Sequence, residues 1–132
     1  PLKIDVSYDA TQVAVNDLID VNVNVRFTPP EPIQAGMVVL DVAVPTGFAA
    51  DPDSLSALAK QQAKIKRYDV AGRKVIIYIE DMMPDEQLQF TFKARALYPV
   101  RAQAVTSQAY SYYRPEWKGE SLGGEMVVGE RR

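Results

Sequence analysis

The sequence contains neither cysteine nor histidine among its 132 residues. Without cysteine, the chain has no disulfide framework, no thiolate nucleophile and no cysteine-based zinc site. Without histidine, it has no Ser-His or Cys-His catalytic pair and no imidazole ligand for a metal ion. An enzyme built on this sequence would have to work with Asp and Glu.

Neither sign of charge dominates, since 15 Lys and Arg stand against 17 Asp and Glu, for a net charge of −2. This balance argues against a nucleic-acid partner. No run of 18 apolar residues occurs, so we expect no membrane insertion. The chain passes directly from Pro1-Leu2-Lys3 into a strand-like pattern, and no signal peptide is predicted there.

The apolar residues recur mostly with a period of two, which is the spacing of β-strands. In residues 21–27, Val and Phe alternate with Asn and Arg, and residues 88–95 alternate in the same way. Residues 37–44 (MVVLDVAV) are almost continuously apolar, which predicts a central strand that is covered on both faces. About seven to nine strands separated by short turns predict a mostly β fold, an antiparallel β-sandwich.

One α-helix is predicted as an insertion in this β pattern. Asp51 suits the N-cap, Pro52 suits the first helical position, and Asp53 lies at the positive end of the helix dipole. Leu55 and Leu58 give the helix an apolar stripe. We expect it to end near residue 62 or 63.

The chain is predicted to form one domain, because its length allows a full hydrophobic core. We place the β-sandwich domain in residues 1–116. The glycine-rich residues 117–132 are interpreted as a C-terminal tail or a short edge strand, with the strand at Met126 to Val128.

Four basic residues near the end of the predicted helix are the candidate protein-binding face: Lys60, Lys64, Lys66 and Arg67. Lys60 and Lys64 are one helical turn apart and are predicted to face the same way. One interpretation is a docking surface for an acidic partner. The other is an ordinary solvated helix face, which is the more frequent role of exposed lysines.

Four aromatic residues close to one another in sequence are the candidate for glycan stacking: Tyr110, Tyr112, Tyr113 and Trp117. Such a cluster is typical of carbohydrate-binding modules. Tyrosine is also a favoured strand residue, and exposed aromatic residues mark protein contacts as often as sugar contacts.

Acidic residues cluster at Asp51 and Asp53 and again between Asp81 and Glu86. A calcium site or an acid–base pair is one interpretation, but the spacing of a calcium-binding loop is missing. Helix capping and turn formation explain these residues more simply. We therefore expect no catalytic residue, no metal site, no cofactor and no enzymatic activity.

Several stretches, taken in order, resemble the receptor-binding domain that closes alpha-macroglobulins, the family of alpha-2-macroglobulin and of related thioester-containing, complement-like proteins. The resemblance covers most of residues 1–116. It is carried by Asn16-Asp17 and the VNVNV strand after it, by residues 36–48 (GMVVLDVAVPTGF) and 51–58, by residues 67–70 (RYDV) and 75–80 (VIIYIE), and by residues 97–101 (LYPVR) and 109–116 (AYSYYRPE).

The resemblance implies a β-sandwich with one helix at the end of a much larger chain. In such proteins a protease cleaves a bait segment, a thioester domain moves, and the protease is caged. The receptor-binding domain does no chemistry. The implied function is therefore a non-enzymatic interaction domain of an alpha-macroglobulin-like protease inhibitor, which packs on neighbouring domains and exposes a binding face after trapping. The alternative function is a carbohydrate-binding module.

The resemblance also implies which branch of the family is closest. Animal members bind a clearance receptor through two lysines near the start of the helix, and matching Gly47-Phe48 to the family's Gly-Phe places Pro52 and Ser56 there. The pair Lys60 and Lys64 lies about two helical turns later. Together with the missing cysteines, this implies a bacterial member in an extracellular or periplasmic location, as part of a larger exported protein. The implied partners are neighbouring domains, a trapped protease indirectly, and a receptor or surface protein.

Overall fold

The computed structural model describes residues 1–130, which form twelve strands and one helix. The helix α1 (Pro52–Gln61) lies between the fifth and sixth strands. The strands in chain order are β1 (Leu2–Tyr8), β2 (Gln12–Ala14), β3 (Leu18–Phe27), β4 (Val38–Ala43), β5 (Phe48–Ala50), β6 (Ile65–Ala71), β7 (Lys74–Ile79), β8 (Gln87–Ala96), β9 (Val100–Ala102), β10 (Thr106–Ser111), β11 (Lys118–Leu122) and β12 (Met126–Gly129).

Two antiparallel sheets enclose a shared core. The four-stranded sheet has the order β1-β3-β8-β5, and the five-stranded sheet has the order β11-β10-β4-β7-β6. A small third sheet, β2-β12-β9, lies beside them, and its β12–β2 pair is parallel. The predicted mostly β, antiparallel sandwich with one inserted helix is thus confirmed.

The core is filled by the inward-facing residues of strands that alternate strictly. In β3, Val21 and Val25 are fully buried, whereas the intervening Asn22 and Asn24 face outward. The five-stranded sheet supplies the opposite wall, with Leu40 at its centre fully buried. Fully burying one such side chain contributes roughly 1.5–3 kcal/mol, so this alternation is the main source of stability.

The helix α1 begins where the sequence predicts. Asp51 is the N-cap, and its Oδ2 accepts a hydrogen bond from the Ser54 backbone N at 3.2 Å. Leu55 and Leu58 pack into the core. The helix ends at Gln61, slightly earlier than predicted, because the next residue takes an extended conformation. No helix among residues 1–130 is long and apolar enough to span a membrane.

Residues 118–122 and 126–129 pair within the sheets. Strand β11 is an edge strand beside β10, and β12 lies between β2 and β9 with Met126 fully buried. The strand expected at Met126 to Val128 is therefore internal rather than at an edge. The division of the chain after residue 116 stays a prediction, and the β10–β11 pairing argues against it. Residues 131 and 132 of the predicted tail lie outside the described residues.

We predict that Gly119→Ala destabilises the protein strongly. An added Cβ on Gly119, which lies in β11, would overlap the backbone carbonyl of Leu2 in β1. Because backbone must shift to admit it, the expected cost is about 1–3 kcal/mol or more. Urea unfolding measures this cost. The matched control is Gly124→Ala, since a Cβ there meets nothing within 4 Å, and we expect a change below about 0.5 kcal/mol. Equal stability of both variants would mean that residues 117–130 are a dispensable tail.

A second prediction concerns the link between the two sheets. The Tyr8 hydroxyl in β1 donates a hydrogen bond to the Ala43 carbonyl in β4 at 3.1 Å, and burial raises the pKa of Tyr8 to about 12. An unfolded tyrosine ionises near pH 10. The unfolded state therefore loses this proton first, and the contribution of Tyr8 to stability is complete below about pH 10 and is lost as the pH rises towards 12.

The expected loss at the alkaline end is about 1–2 kcal/mol, because Tyr8 is only partly buried and solvent screens part of the effect. It is measured as the difference in urea unfolding free energy between the natural chain and Tyr8→Phe, which keeps the ring and removes the titrating group. We expect the two pH profiles to converge above about pH 10. Parallel profiles up to pH 12 would show that Tyr8 titrates as if it were exposed.

Candidate functional site

The basic residues predicted as a protein-binding face lie around the end of α1 without forming one surface. Lys60 is exposed in the last helical turn, and Lys66 is exposed in β6. Lys64 lies beyond the helix, since α1 ends at Gln61. The prediction that Lys60 and Lys64 face the same way from one helix is therefore wrong. The role of these residues in binding stays a prediction.

Lys64 has a structural partner within the chain. Its Nζ lies 3.1 Å from Glu86 Oε1, and the side chains are 30% and 24% exposed. The same carboxylate oxygen accepts a hydrogen bond from the Met83 backbone N at 2.9 Å. Lys64 therefore neutralises a carboxylate that supports the turn before β8, which is a structural role for half of the predicted lysine pair.

We predict that Lys60→Ala leaves stability unchanged within about 0.5 kcal/mol, because the side chain is exposed. Lys64→Ala removes a half-buried ion pair and is expected to cost about 0.5–1 kcal/mol. Chemical denaturation of both variants, of Glu86→Gln and of Lys64→Ala combined with Glu86→Gln measures the coupling between Lys64 and Glu86. Equal effects of the two lysine substitutions would contradict this assignment.

The aromatic residues predicted as a glycan platform fall into two places. Tyr112 and Tyr113 are 53% and 72% exposed in the loop after β10. Their ring centroids lie 5.3 Å apart in an edge-to-face arrangement with an interplanar angle of 81°. The Tyr113 ring also lies over Gly36, where an added Cβ would approach it to 2.8 Å. Two perpendicular rings do not make the flat surface on which a sugar ring stacks.

The other two aromatic residues, Trp117 and Tyr110, are half-buried. Trp117 packs against the buried Phe27 with ring centroids 5.6 Å apart, and the Arg114 guanidinium lies 4.8 Å from the Trp117 ring centroid. Tyr110 lies in β10 and faces out of the five-stranded sheet. The structure therefore brings together Tyr112 and Tyr113 but not all four residues.

The acidic clusters serve capping and turn formation. Asp51 caps α1, as described above, and Asp81 Oδ1 accepts a hydrogen bond from the Gly36 backbone N at 3.1 Å. Asp85 takes a left-handed conformation with φ of 65°, which Asp tolerates better than most residues. Within residues 1–130, no group of three or more His, Cys, Asp and Glu is placed to hold a metal ion.

The outer face of the five-stranded sheet is a further candidate surface, which no motif in the sequence indicates. We call it the mixed face. Its outward residues are set by the strand register. They are the larger apolar Val39, Ile76, Tyr78, Tyr110 and Leu122, the charged Asp41, Arg67, Asp69, Lys74, Lys118 and Glu120, the polar Thr106 and Gln108, and the small Ala43 and Ala71. One continuous row runs across all five strands, in the order Lys118, Tyr110, Val39, Tyr78 and Arg67.

Arg67, one of the predicted binding residues, belongs to this mixed face. Its guanidinium lies 4.1 Å from the centroid of the Tyr78 ring, which is within cation–π distance. Its Nη1 lies 3.7 Å from Asp69 Oδ2 in the same strand. In the sequence, this face is indicated by the apolar character of Ile76 and Tyr78, which alternate with inward-facing residues. Only the strand register shows that these two residues lie on the same face as Tyr110.

The outer face of the four-stranded sheet, which we call the polar face, differs strongly. Hydrogen bonds link its strands side chain to side chain, from Thr91 Oγ1 to Asn22 Oδ1 at 2.8 Å and from Lys93 Nζ to Asp20 Oδ1 at 2.7 Å. The Asp20 hydrogen bond and charge raise the pKa of Lys93. A shallow groove of about 380 Å³ crosses this face and is lined by Asp5, Ser7, Asn22, Asn24, Gln89 and Thr91 among others. Within this groove, the Thr91 and Asn22 side chains bond to each other.

Comparison with known families gives one match to this chain. The family model of the A-macroglobulin receptor binding domain matches residues 33–122, which is more than half of the chain. Among curated proteins, complement C3 of Lethenteron camtschaticum is 32% identical over 84 residues, and complement C3 of Eptatretus burgeri is 28% identical over 89 residues. These alignments cover 62% and 64% of this chain, and the chain spans 5% of the length of each of these relatives.

Solved structures of bacterial proteins share the fold. Trypsin-activated alpha-2-macroglobulin from Escherichia coli aligns with a TM-score of 0.76 and 16% identity over 96% of this chain and 10% of that one. The native Escherichia coli protein from domain MG7 to the C-terminus aligns with a TM-score of 0.69 and 17% identity, over 97% of this chain and 23% of that one. In both relatives the matching fold is a small part of a longer polypeptide.

Proposed function

This chain belongs to the alpha-macroglobulin receptor-binding-domain family, and we propose that it serves as a non-enzymatic protein-interaction domain of an alpha-macroglobulin-like protease inhibitor. The family match over residues 33–122 carries the proposal. The domain packs on neighbouring domains of a larger chain. A trapped protease is linked to this domain only through other parts of the larger chain. The whole protein acts outside the cytoplasm, in the periplasm or the extracellular space.

The arrangement of charged residues supports a role in binding rather than in chemistry. The carboxylates at the ends of the sandwich cap a helix and hold turns, as Asp51 and Asp81 do. The groove on the polar face is shallow, and two hydrogen bonds across the strands, Thr91 to Asn22 and Gln87 to Asn24, engage two of its asparagines. The function of this domain therefore depends on its surfaces, and the chemistry of protease capture takes place in other parts of the larger chain.

A binding face that becomes accessible after protease trapping is the finer part of the proposal. Lys60 and Lys66 are exposed and remain candidates for that face, whereas the other two candidates already have partners within the chain, Lys64 in Glu86 and Arg67 in Tyr78. An acidic receptor or surface protein is the partner that such residues favour.

Glycan binding is the alternative function, and the exposure of Tyr112 and Tyr113 is the observation that favours it. The perpendicular arrangement of their rings makes it the weaker candidate. A glycan array on which the natural chain binds, and on which Tyr113→Ala does not, would turn the assignment towards a carbohydrate-binding module.

The experiment that tests the main proposal uses the full-length gene product with and without this domain. Trypsin is mixed with each form, and its activity is measured on casein and on a small chromogenic peptide. A caged protease is shielded from the large substrate and still cleaves the small one. We expect this difference for the complete protein and a reduced difference after deletion of the domain. Equal activity of trypsin on casein with and without the complete protein would overturn the proposal.

A further inference from the structure

The two outer faces of the sandwich provide an internal comparison. Both consist of alternate residues of antiparallel strands, yet the polar face is polar at nearly every outward position, and the mixed face has an apolar cluster of Tyr110, Val39 and Tyr78 on three neighbouring strands. Val39 is only 2% exposed although it points outward, because Tyr110 and Tyr78 flank it on the neighbouring strands. At the margin of the same face, Leu122 is 70% exposed.

Strand β4 has the sequence of a strand that is covered on both faces. Its inward residues Val38, Leu40 and Val42 are fully buried, and Val39 continues the apolar run on the outward side. The helix α1 packs against β8 and β6 at the side of the sandwich and does not cover β4. Within residues 1–130, no secondary-structure element lies over the mixed face.

Most of the charges on the mixed face are paired within the chain. It carries three basic and three acidic residues, as defined above, and two ion pairs join four of them. Lys74 Nζ lies 3.2 Å from Asp41 Oδ1, a carboxylate oxygen that has no well-aligned hydrogen bond, and Arg67 pairs with Asp69. A partner that covers these four residues need not supply countercharges for them, which lowers the cost of taking them out of water.

The size of the mixed face indicates the kind of partner. Five strands spaced about 4.8 Å apart and about 20 Å long present roughly 400 Å², or about 800 Å² for both sides of an interface. That area is typical of contacts between domains of one chain, at roughly 600–1,500 Å². It is below the roughly 1,200–2,000 Å² of stable complexes between free proteins. A domain tethered in the same polypeptide therefore fits better than a second copy of this chain.

We propose that the mixed face docks on another domain of the same polypeptide, through a surface that is apolar opposite Tyr110, Tyr78 and Ile76, the three side chains next to the already covered Val39. This inference rests on the proposed function, because it requires the longer chain that the family implies. It adds the face, the central residues and the chemistry of the partner surface. The polar face stays in water in the assembled protein.

The absence of cysteine from this chain makes the proposal testable by thiol labelling. Ile76→Cys places one thiol at the centre of the mixed face, and Gln89→Cys places one on the polar face as the matched control. Each variant is made in the 132-residue chain and in the full-length gene product. Maleimide labelling of the engineered peptide is then followed by mass spectrometry, so that thiols elsewhere in the long protein do not interfere.

We expect Ile76→Cys to label at least about tenfold more slowly in the full-length protein than in the 132-residue chain, because a covered thiol reacts only after local opening. Gln89→Cys is expected to label at similar rates in both. Similar rates for Ile76→Cys in both contexts would overturn the inference, and so would equal protection at both positions. Tyr110→Cys repeats the test from a different strand, in case Ile76→Cys fails to fold.

The labelling result is independent of the protease experiment. If the full-length protein shields trypsin from casein and Ile76→Cys is unprotected, the proposed function stands and the assigned docking face is wrong. If Ile76→Cys is protected and trypsin is not shielded, the face docks within a protein that is not a protease trap. Slow labelling of Ile76→Cys in the 132-residue chain at rising protein concentration would instead identify a second copy as the occupant and overturn the inference.

Discussion

The register between β3 and β8 is the constraint on which the rest of the structure depends. These two central strands pair over nine residues, from Leu18 opposite Arg95 to Arg26 opposite Gln87. A slip of one residue would turn every valine and phenylalanine of one strand towards water. Because the register is fixed, the inward side of this sheet is apolar. Its outward side carries mostly polar side chains, which can form hydrogen bonds with their neighbours. The same constraint makes the polar face a poor site for an apolar partner.

The fold could be predicted from the sequence because its signals are local. The alternation in β3 and β8 identifies strands and their inward faces without knowledge of their partners, and Asp51-Pro52 identifies the start of the helix. The end of the helix was less predictable. The Gln62 backbone turns away so that the chain can enter β6, and the Ile65 N donates to the Gln62 carbonyl at 3.1 Å. That tertiary requirement separates Lys64 from Lys60 and breaks the predicted lysine pair.

The candidate surface was less predictable than the fold, because it depends on residues that are distant in sequence. Tyr110, Val39 and Tyr78 come together only through the pairing of β10, β4 and β7. In the sequence, Tyr110 was grouped with Tyr112, Tyr113 and Trp117 by proximity, whereas in the structure Tyr110 faces out of the five-stranded sheet and Trp117 packs on the buried Phe27. Family resemblance supplied the broad function, and the register of one sheet supplied the position of the surface. Neither source alone relates a particular face to a kind of partner.

The irregular edge at β6 has a consequence for how the domain meets other molecules. The strand departs from regular pairing with a bulge between Ile65 and Arg67, and charged side chains occupy Lys66, Arg67 and Asp69 along it. A bulged and charged edge is a poor template for an incoming strand. Polymerisation through strand addition is therefore suppressed at this side.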